Sequence, residues 1–328
     1  MLKSVLKIAA FAVFCFLAVE QTYRVYVAGP AAFNPAKFNR VNQLMLTDFI
    51  EPASHPDIYF RLRPNLREWF RGAELHTNSQ GLADQEYPLE KPAGSKRVAV
   101  IGSSWTMASG VSQQDVYHSV LEEMLNEAYP NQKYELINFA VEMYGLGEIV
   151  ATLRHRTPDW QPDMVLAAIT TYTPAIVWES RSEVPPLPEP THPFLQSYVL
   201  RAIDQKLGTG HYPPANKTRT MIATGRLDLY REQILRAIKD IGEIADEREI
   251  PAMLIWLSFS TPDYDFEQQI RATADRYDVQ YVPAYQWILG DGNAVSRTDH
   301  HPNAASHRRI AQGLFEELTN HPITTGVE

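Results

Sequence analysis

Apolar residues follow two rhythms along this chain. Residues 97–101, 135–139, 164–169, 252–257 and 279–283 are short runs rich in apolar side chains. Runs of that length, bounded by turn residues, fit strands of a parallel sheet buried on both faces. Between them apolar residues recur at helical spacing. Val116, Val120, Leu121, Met124 and Leu125 mark a helix over 115–128. Ile234, Leu235, Ile238, Ile241 and Ile244 mark one over 227–249, and Ile310, Leu314, Phe315 and Leu318 one over 304–318. Shorter helices are expected at 147–156 and 266–276. Strand and helix in alternation predict an α/β fold: three α/β/α layers around a central, mostly parallel five-stranded sheet.

Three segments break the alternation. Residues 58–65 and the stretch around Glu74-Leu75-His76-Thr77 suggest short strands that wrap an edge of the main sheet, with turn chemistry at 78–81 and a structural role for Asn78. Residues 183–193 read EVPPLPEPTHP, too rich in proline for helix or central strand. The surrounding 174–226, with a short helix at 194–207, reads as an insertion over the active edge that shapes substrate choice, or as a linker. At the N-terminus Lys3 and Lys7 precede an apolar run, 8–19. The run is shorter than the roughly 20 residues of a spanning helix and suits a signal peptide. Extended to residue 28 it suits an uncleaved signal anchor, and a buried core helix is the third reading. The lysines place the N-terminus inside and the body outside the cytoplasmic membrane. The division is 1–28 for the signal anchor or peptide, 29–56 for a stalk (weakly helical at 37–49), and 57–328 for the α/β domain.

Length and composition narrow this further. The 328 residues suffice for one large domain, and no internal repeat is visible. A net charge of −9 disfavours a nucleic-acid partner. Cys15 is the single cysteine, so no internal disulfide forms, and the bulky Phe14 before it does not suit lipidation.

The candidate chemistry lies in two blocks far apart in the chain. The first is RVAVIGSSWTMASGV at 97–111, a strand that breaks at Gly102 and presents Ser103 and Ser104. In open α/β folds that carboxyl edge holds the ligand site. A serine nucleophile needs a base, and the base needs an orienting carboxylate. The second block, Thr298-Asp299-His300-His301-Pro302-Asn303, offers both. Ser104 is the first choice of nucleophile and Ser103 the second; His301 is the first choice of base and His300 the second. Asp299 is the orienting acid or an Asx-turn residue. His307 falls inside the last helix and reads as structural, and no metal-ligand spacing is apparent.

GSSWT at 102–106 resembles the GDSxT block of the SGNH (GDSL-like) hydrolases, and DHHPNAASHRRIA at 299–311 resembles their closing Asp/His block. Asn78-Ser79-Gln80-Gly81-Leu82 is similar to a stretch in exported or membrane-anchored bacterial members, many of which act on acyl groups of cell-surface polysaccharides. The resemblance covers roughly 57–172 and 227–320. It implies the flavodoxin-like SGNH fold, with Ser104 as nucleophile, His301 as base and Asp299 as acid. It implies an oxyanion hole from the N–H of Ser104 and from the positions of Ala140 and Tyr172, where the family carries Gly and Asn. Ser103 stands where the family carries Asp. The implied activity is that of an exported serine esterase or O-acyltransferase acting on ester-linked acyl groups, acetyl foremost, of a carbohydrate, with no cofactor. The alternative is a catalytically impaired module that binds polysaccharide or assists its assembly or export. The implied location is extracytoplasmic, anchored to the cytoplasmic membrane, or secreted if the first segment is cleaved.

Overall fold

The computed structural model describes residues 2–28, 32–33, 49–107, 109–171, 173, 197–207, 227–290, 292–295, 299–319, 321 and 323–324. Tyr172, the expected weak helix at 37–48 and most of the insertion lie outside the described residues.

The chain opens with α1 (Leu2–Ala28), a single helix whose residues 3–19 are all exposed. That excludes the buried-core reading of this segment. Two antiparallel pairs follow: β1 (Ile50–Pro52) with β2 (Phe60–Leu62), and β3 (Arg67–Phe70) with β4 (Ala73–His76). They stand as separate two-stranded sheets, unpaired with the main sheet. Residues 50–52, assigned to the stalk from sequence, are thus a strand. Pro52 ends it, which fits proline's place at strand ends and edges.

The main sheet has five parallel strands: β5 (Lys96–Ile101), β6 (Tyr134–Asn138), β7 (Met164–Thr170), β8 (Ala252–Leu257) and β9 (Val279–Val282). Their spatial order is β6-β5-β7-β8-β9. Read by rank this is 2-1-3-4-5, the flavodoxin-like doubly wound order, whose switch point lies between β5 and β7. The expected fold is the one formed.

Alternate residues of each strand face opposite layers. Val98, Val100, Leu166, Ala168, Met253 and Ile255 pack against α3 (Tyr117–Ala128) and α8 (Ala304–Thr319). Ala99, Ile101, Val165, Ala167, Leu254 and Trp256 pack against α4 (Leu146–His155), α6 (Leu227–Glu247) and α7 (Tyr264–Arg276). The short α2 (Ser104–Met107) follows β5, and α5 (Tyr198–Leu207) lies in the insertion. The helix expected from 115 begins at Tyr117, because Val116 is extended (φ −75°, ψ 144°) after a 3-10 turn at Gln113–Asp115.

Candidate active site

Ser104 is the first residue of α2, at the carboxyl end of the inner strand β5 and beside the switch point. Gly102 makes this turn possible. A Cβ there would come within 2.6 Å of Thr106 Oγ1 and 3.2 Å of the Ala168 carbonyl oxygen in β7. Thr106 anchors the turn on two sides: Tyr117 OH donates to its Oγ1 (3.1 Å) and Asn138 Nδ2 to its carbonyl oxygen (2.8 Å). The two candidate serines separate here. Ser103 is buried, with Oγ 3.5 Å from Thr173 Oγ1, whereas Ser104 is half-buried. Among the described residues Ser104 Oγ has no hydrogen-bond partner, His301 included.

The two histidines also separate. His300 is exposed. His301 is half-buried, and its Nδ1 lies 2.5 Å from Asp299 Oδ1, which also accepts the His301 backbone N–H at 3.1 Å. One carboxylate oxygen thus holds both ring and backbone of the same residue, and a two-residue spacing suffices for the pair. The strand-like contact Ala294–Pro302 and the bond from Val295 N–H to the His301 carbonyl (2.8 Å) fix this loop from behind. Asn303 then starts α8 by accepting the Ser306 N–H at 3.0 Å. Burial works to raise the Asp299 carboxyl pKa, but hydrogen bonds and charge from His301, with Arg71 beside it, hold it below the usual carboxylate value.

Arg71, Glu142 and Ser109 join these two parts. Arg71 is in the β3–β4 turn, where Arg71 (φ 51°) and Gly72 (φ 94°) both take positive φ, as a two-residue type I′ hairpin requires. Its Nη1 lies 3.8 Å from Asp299 Oδ2, and its other nitrogens clasp Glu142 at 2.6–3.2 Å. Glu142 is buried and also accepts from Ser109 Oγ at 2.7 Å. The Ser109 N–H donates to the Ser104 carbonyl at 3.3 Å. A chain of polar contacts therefore runs from the Ser104 backbone to Asp299. The next residue, Gly110 (φ 85°), sits so close to Val295 that a Cβ would lie 3.1 Å from its side chain, and Val295 is bonded to His301. The serine loop and the histidine loop are neighbours.

Sequence reading missed Arg71 and Glu142. An arginine in a hairpin turn and a glutamate in the loop after β6 are ordinary surface residues until the fold is known. The available signal was Glu142 itself, a charged residue in an otherwise apolar stretch that enters the carboxyl edge.

The oxyanion positions give a different picture. The Ala140 N–H donates to Asn138 Oδ1 at 3.0 Å in a fully buried setting. Three residues on, Met143 takes φ 68°, a left-handed conformation uncommon outside glycine. Thr170 and Thr173 brace the loop after β7 through Oγ1–Oγ1 (2.9 Å) and N–H to Oγ1 (3.0 and 3.2 Å) contacts.

Two other features do not include the candidate serine or histidine. A cavity of about 560 Å³ is lined by Asp84, Gln85, Ser119, Glu122 and other polar residues, with Ser104 and His301 outside its lining. His55, Asp57 and His155, far apart in sequence, each bring a possible ligand atom within 4.8 Å of the others. Their two imidazoles stack at 3.6 Å and 16°. Nearly parallel rings have no common in-plane point for a metal, so these rotamers do not form a site.

Fold, edge and Asp–His pair together describe a doubly wound α/β protein with a half-buried serine beside its switch point and a hydrogen-bonded Asp–His pair on a neighbouring loop. No family model and no curated protein matches this sequence. Among solved structures the chain is similar to TesA, at 14% identity over 70% of this chain and 99% of that one, with a TM-score of 0.45. It is similar to a catalytic mutant of Axe2, an acetylxylan esterase from Geobacillus stearothermophilus, at 12% identity over 70% and 97% of the two chains, TM-score 0.43. It is also similar to a two-domain esterase active on acetylated mannans, at 15% identity over 72% of this chain and 52% of that one, TM-score 0.42.

Proposed function

We propose that the protein is a membrane-anchored, extracytoplasmic serine esterase that removes or transfers an acyl group, acetyl foremost, on a carbohydrate. The observation that carries the reading is the Asp299–His301 pair, 2.5 Å apart on a loop packed against the loop that follows Ser104. Asp299 holds the His301 tautomer with Nδ1 protonated, which leaves Nε2 as the base. His301 takes the Ser104 proton as Oγ attacks the ester carbonyl. The tetrahedral oxyanion forms against the N–H of Ser104, an orphan donor at the start of α2. His301 then protonates the leaving sugar oxygen, and an acyl-Ser104 remains. Water completes hydrolysis, and a sugar hydroxyl completes transfer. The open Ser104 hydroxyl is compatible with this, since catalytic hydrogen bonds often tighten only when substrate is bound. Arg71 is assigned as a positioning residue that keeps Asp299 ionised and in place.

The second reading is a module that binds or helps assemble polysaccharide without catalysis. What favours it is Ala140, whose N–H would have to leave Asn138 Oδ1 before it could meet an oxyanion. Hydrolysis of p-nitrophenyl acetate by the full chain in detergent separates the readings. Turnover that disappears in Ser104→Ala and in His301→Ala supports the esterase, turnover that survives both substitutions contradicts the Ser104–His301 mechanism, and a wild type no faster than the uncatalysed rate supports the module.

A further inference from the structure

The C-terminal part of α1 is built into the body. Glu20 and Arg24 are buried and paired at 2.8 Å. Glu20 Oε2 accepts from Ser197 Oγ at 2.6 Å and from the Val199 N–H at 3.0 Å, which ties α1 to the first turn of α5. What projects from the body is therefore residues 3–19, about 26 Å of helix at 1.5 Å per residue. The hydrocarbon core of a bilayer is about 30 Å thick. A span slightly shorter than the hydrocarbon core is accommodated by local thinning of the bilayer, which leaves whatever lies beside its outer end at the lipid surface.

What lies there is apolar and exposed. Leu200, Ile203 and Leu207 follow one another at helical spacing along one side of α5, 40, 47 and 69% exposed. Lys206 stands beside them, suited to the headgroup layer. Tyr23, Tyr26 and Phe33 are exposed around the same end of α1, as aromatic residues are at membrane interfaces. An interfacial helix lies in the membrane plane with its apolar face turned to the acyl boundary.

We propose that α5 lies in the outer interface of the membrane that α1 spans, so that the carboxyl edge of the sheet stands at the bilayer surface. The second part follows from α1 packing on β3, the strand that leads directly into the turn carrying Arg71, the residue beside Asp299. A substrate would then be taken from chains still at the membrane, rather than from free polymer. The proposal rests on the membrane span in the reading above and is independent of the esterase chemistry.

Nitroxide labels on the full chain in liposomes test it, in a Cys15→Ala background. The sites are Ile203→Cys and Leu207→Cys on α5, Phe11→Cys in α1, and Leu89→Cys, which is exposed and next to Arg97 at the opposite end of the sheet. The ratio of collisions with oxygen to collisions with a water-soluble nickel chelate should be several-fold higher at 203 and 207 than at 89, and highest at 11. Ratios at 203 and 207 equal to that at 89 overturn the proposal, as does a water-exposed label at 11. Shielding from both colliders with dipolar coupling between labels means that a second copy covers the face, and overturns it too. Ester hydrolysis by the same samples reads the chemistry separately.

Discussion

Two arginines stand at opposite ends of the main sheet, and their surroundings differ in kind. Arg97, near the amino end of β5, has a fully buried side chain. Its Nε donates to Glu135 (2.7 Å), Nη1 to the carbonyls of Leu89 (2.9 Å) and Trp160 (3.0 Å), and Nη2 to that of Pro88 (2.5 Å). Asp163, which closes the β5 backbone here, is itself clasped by Lys91 at 2.6 Å. Arg71, at the carboxyl edge, has a side chain 40% exposed, holds Glu142 tightly and reaches Asp299 only at 3.8 Å. A saturated, dry cluster locks strands and loops together. An open one, with a charge directed at an Asp–His pair, has its worth in where it places that pair.

Substitutions should divide along this line. The largest effects belong to the proposed reaction: Ser104→Ala or His301→Ala should lower kcat on the order of 10⁴-fold or more, with thermal unfolding close to that of wild type. Asp299→Asn should cost about as much, through the wrong His301 tautomer. It should also flatten acid unfolding. The Asp299 pKa is depressed in the folded state, so its contribution is present above the unfolded value of 3.8 and is lost as pH falls through the lower folded value. Unfolding curves between pH 2 and 5, read by circular dichroism, check the sign.

At the other end of the sheet, Arg97→Met leaves Glu135 buried without its cation, and should cost about 3–5 kcal/mol of stability. The kcat of the fraction still folded should stay unchanged, as read by denaturant titration beside the ester assay. Arg71→Met leaves Glu142 buried without its cation and should also cost stability, but unlike Arg97→Met it removes the charge beside Asp299 and should lower kcat roughly 10- to 100-fold as well, with KM little changed and the acid limb of the pH profile moved upward as Asp299 becomes easier to protonate. Arg71→Lys should recover part of the rate. Loss of stability without loss of kcat would place Arg71 with Arg97.

The smallest effect on kcat concerns His307, which the proposed mechanism does not use. It stacks on Tyr117 at 5.9 Å, and its Nδ1 accepts the Tyr117 N–H at 3.3 Å. Burial, with His118 and His301 nearby, pushes its pKa down to about 3 from 6.5. The unfolded chain takes up this proton first, so stability should fall between about pH 6.5 and 3. His307→Gln should remove that slope from the stability–pH curve while leaving kcat at neutral pH nearly unchanged.

How much was legible in the sequence follows from where each signal resides. The five main strands formed within a residue of their expected limits, since burial on both faces demands apolar runs that few other structures tolerate: β8 is the whole of 252–257. The choice of His301 over His300 had a local signal in the Pro302-Asn303 that follows it, and Asn303 is the residue that starts α8. Backbone conformation left less trace. Nothing in the residue names shows that Met143 is left-handed or that Asn138 engages the Ala140 N–H. Contacts between distant segments left none. Arg71 reaches Asp299 across most of the chain, and Glu20 reaches Ser197 across nearly as much.

The central claim is that His301 activates the hydroxyl of Ser104, and a fluorophosphonate probe reads that most directly. Intact-mass and peptide mapping of the labelled full chain should show one adduct, on Ser104, formed at least a hundredfold more slowly in His301→Ala. No adduct, an adduct on Ser103, or labelling of Ser104 that is indifferent to His301 would contradict the account.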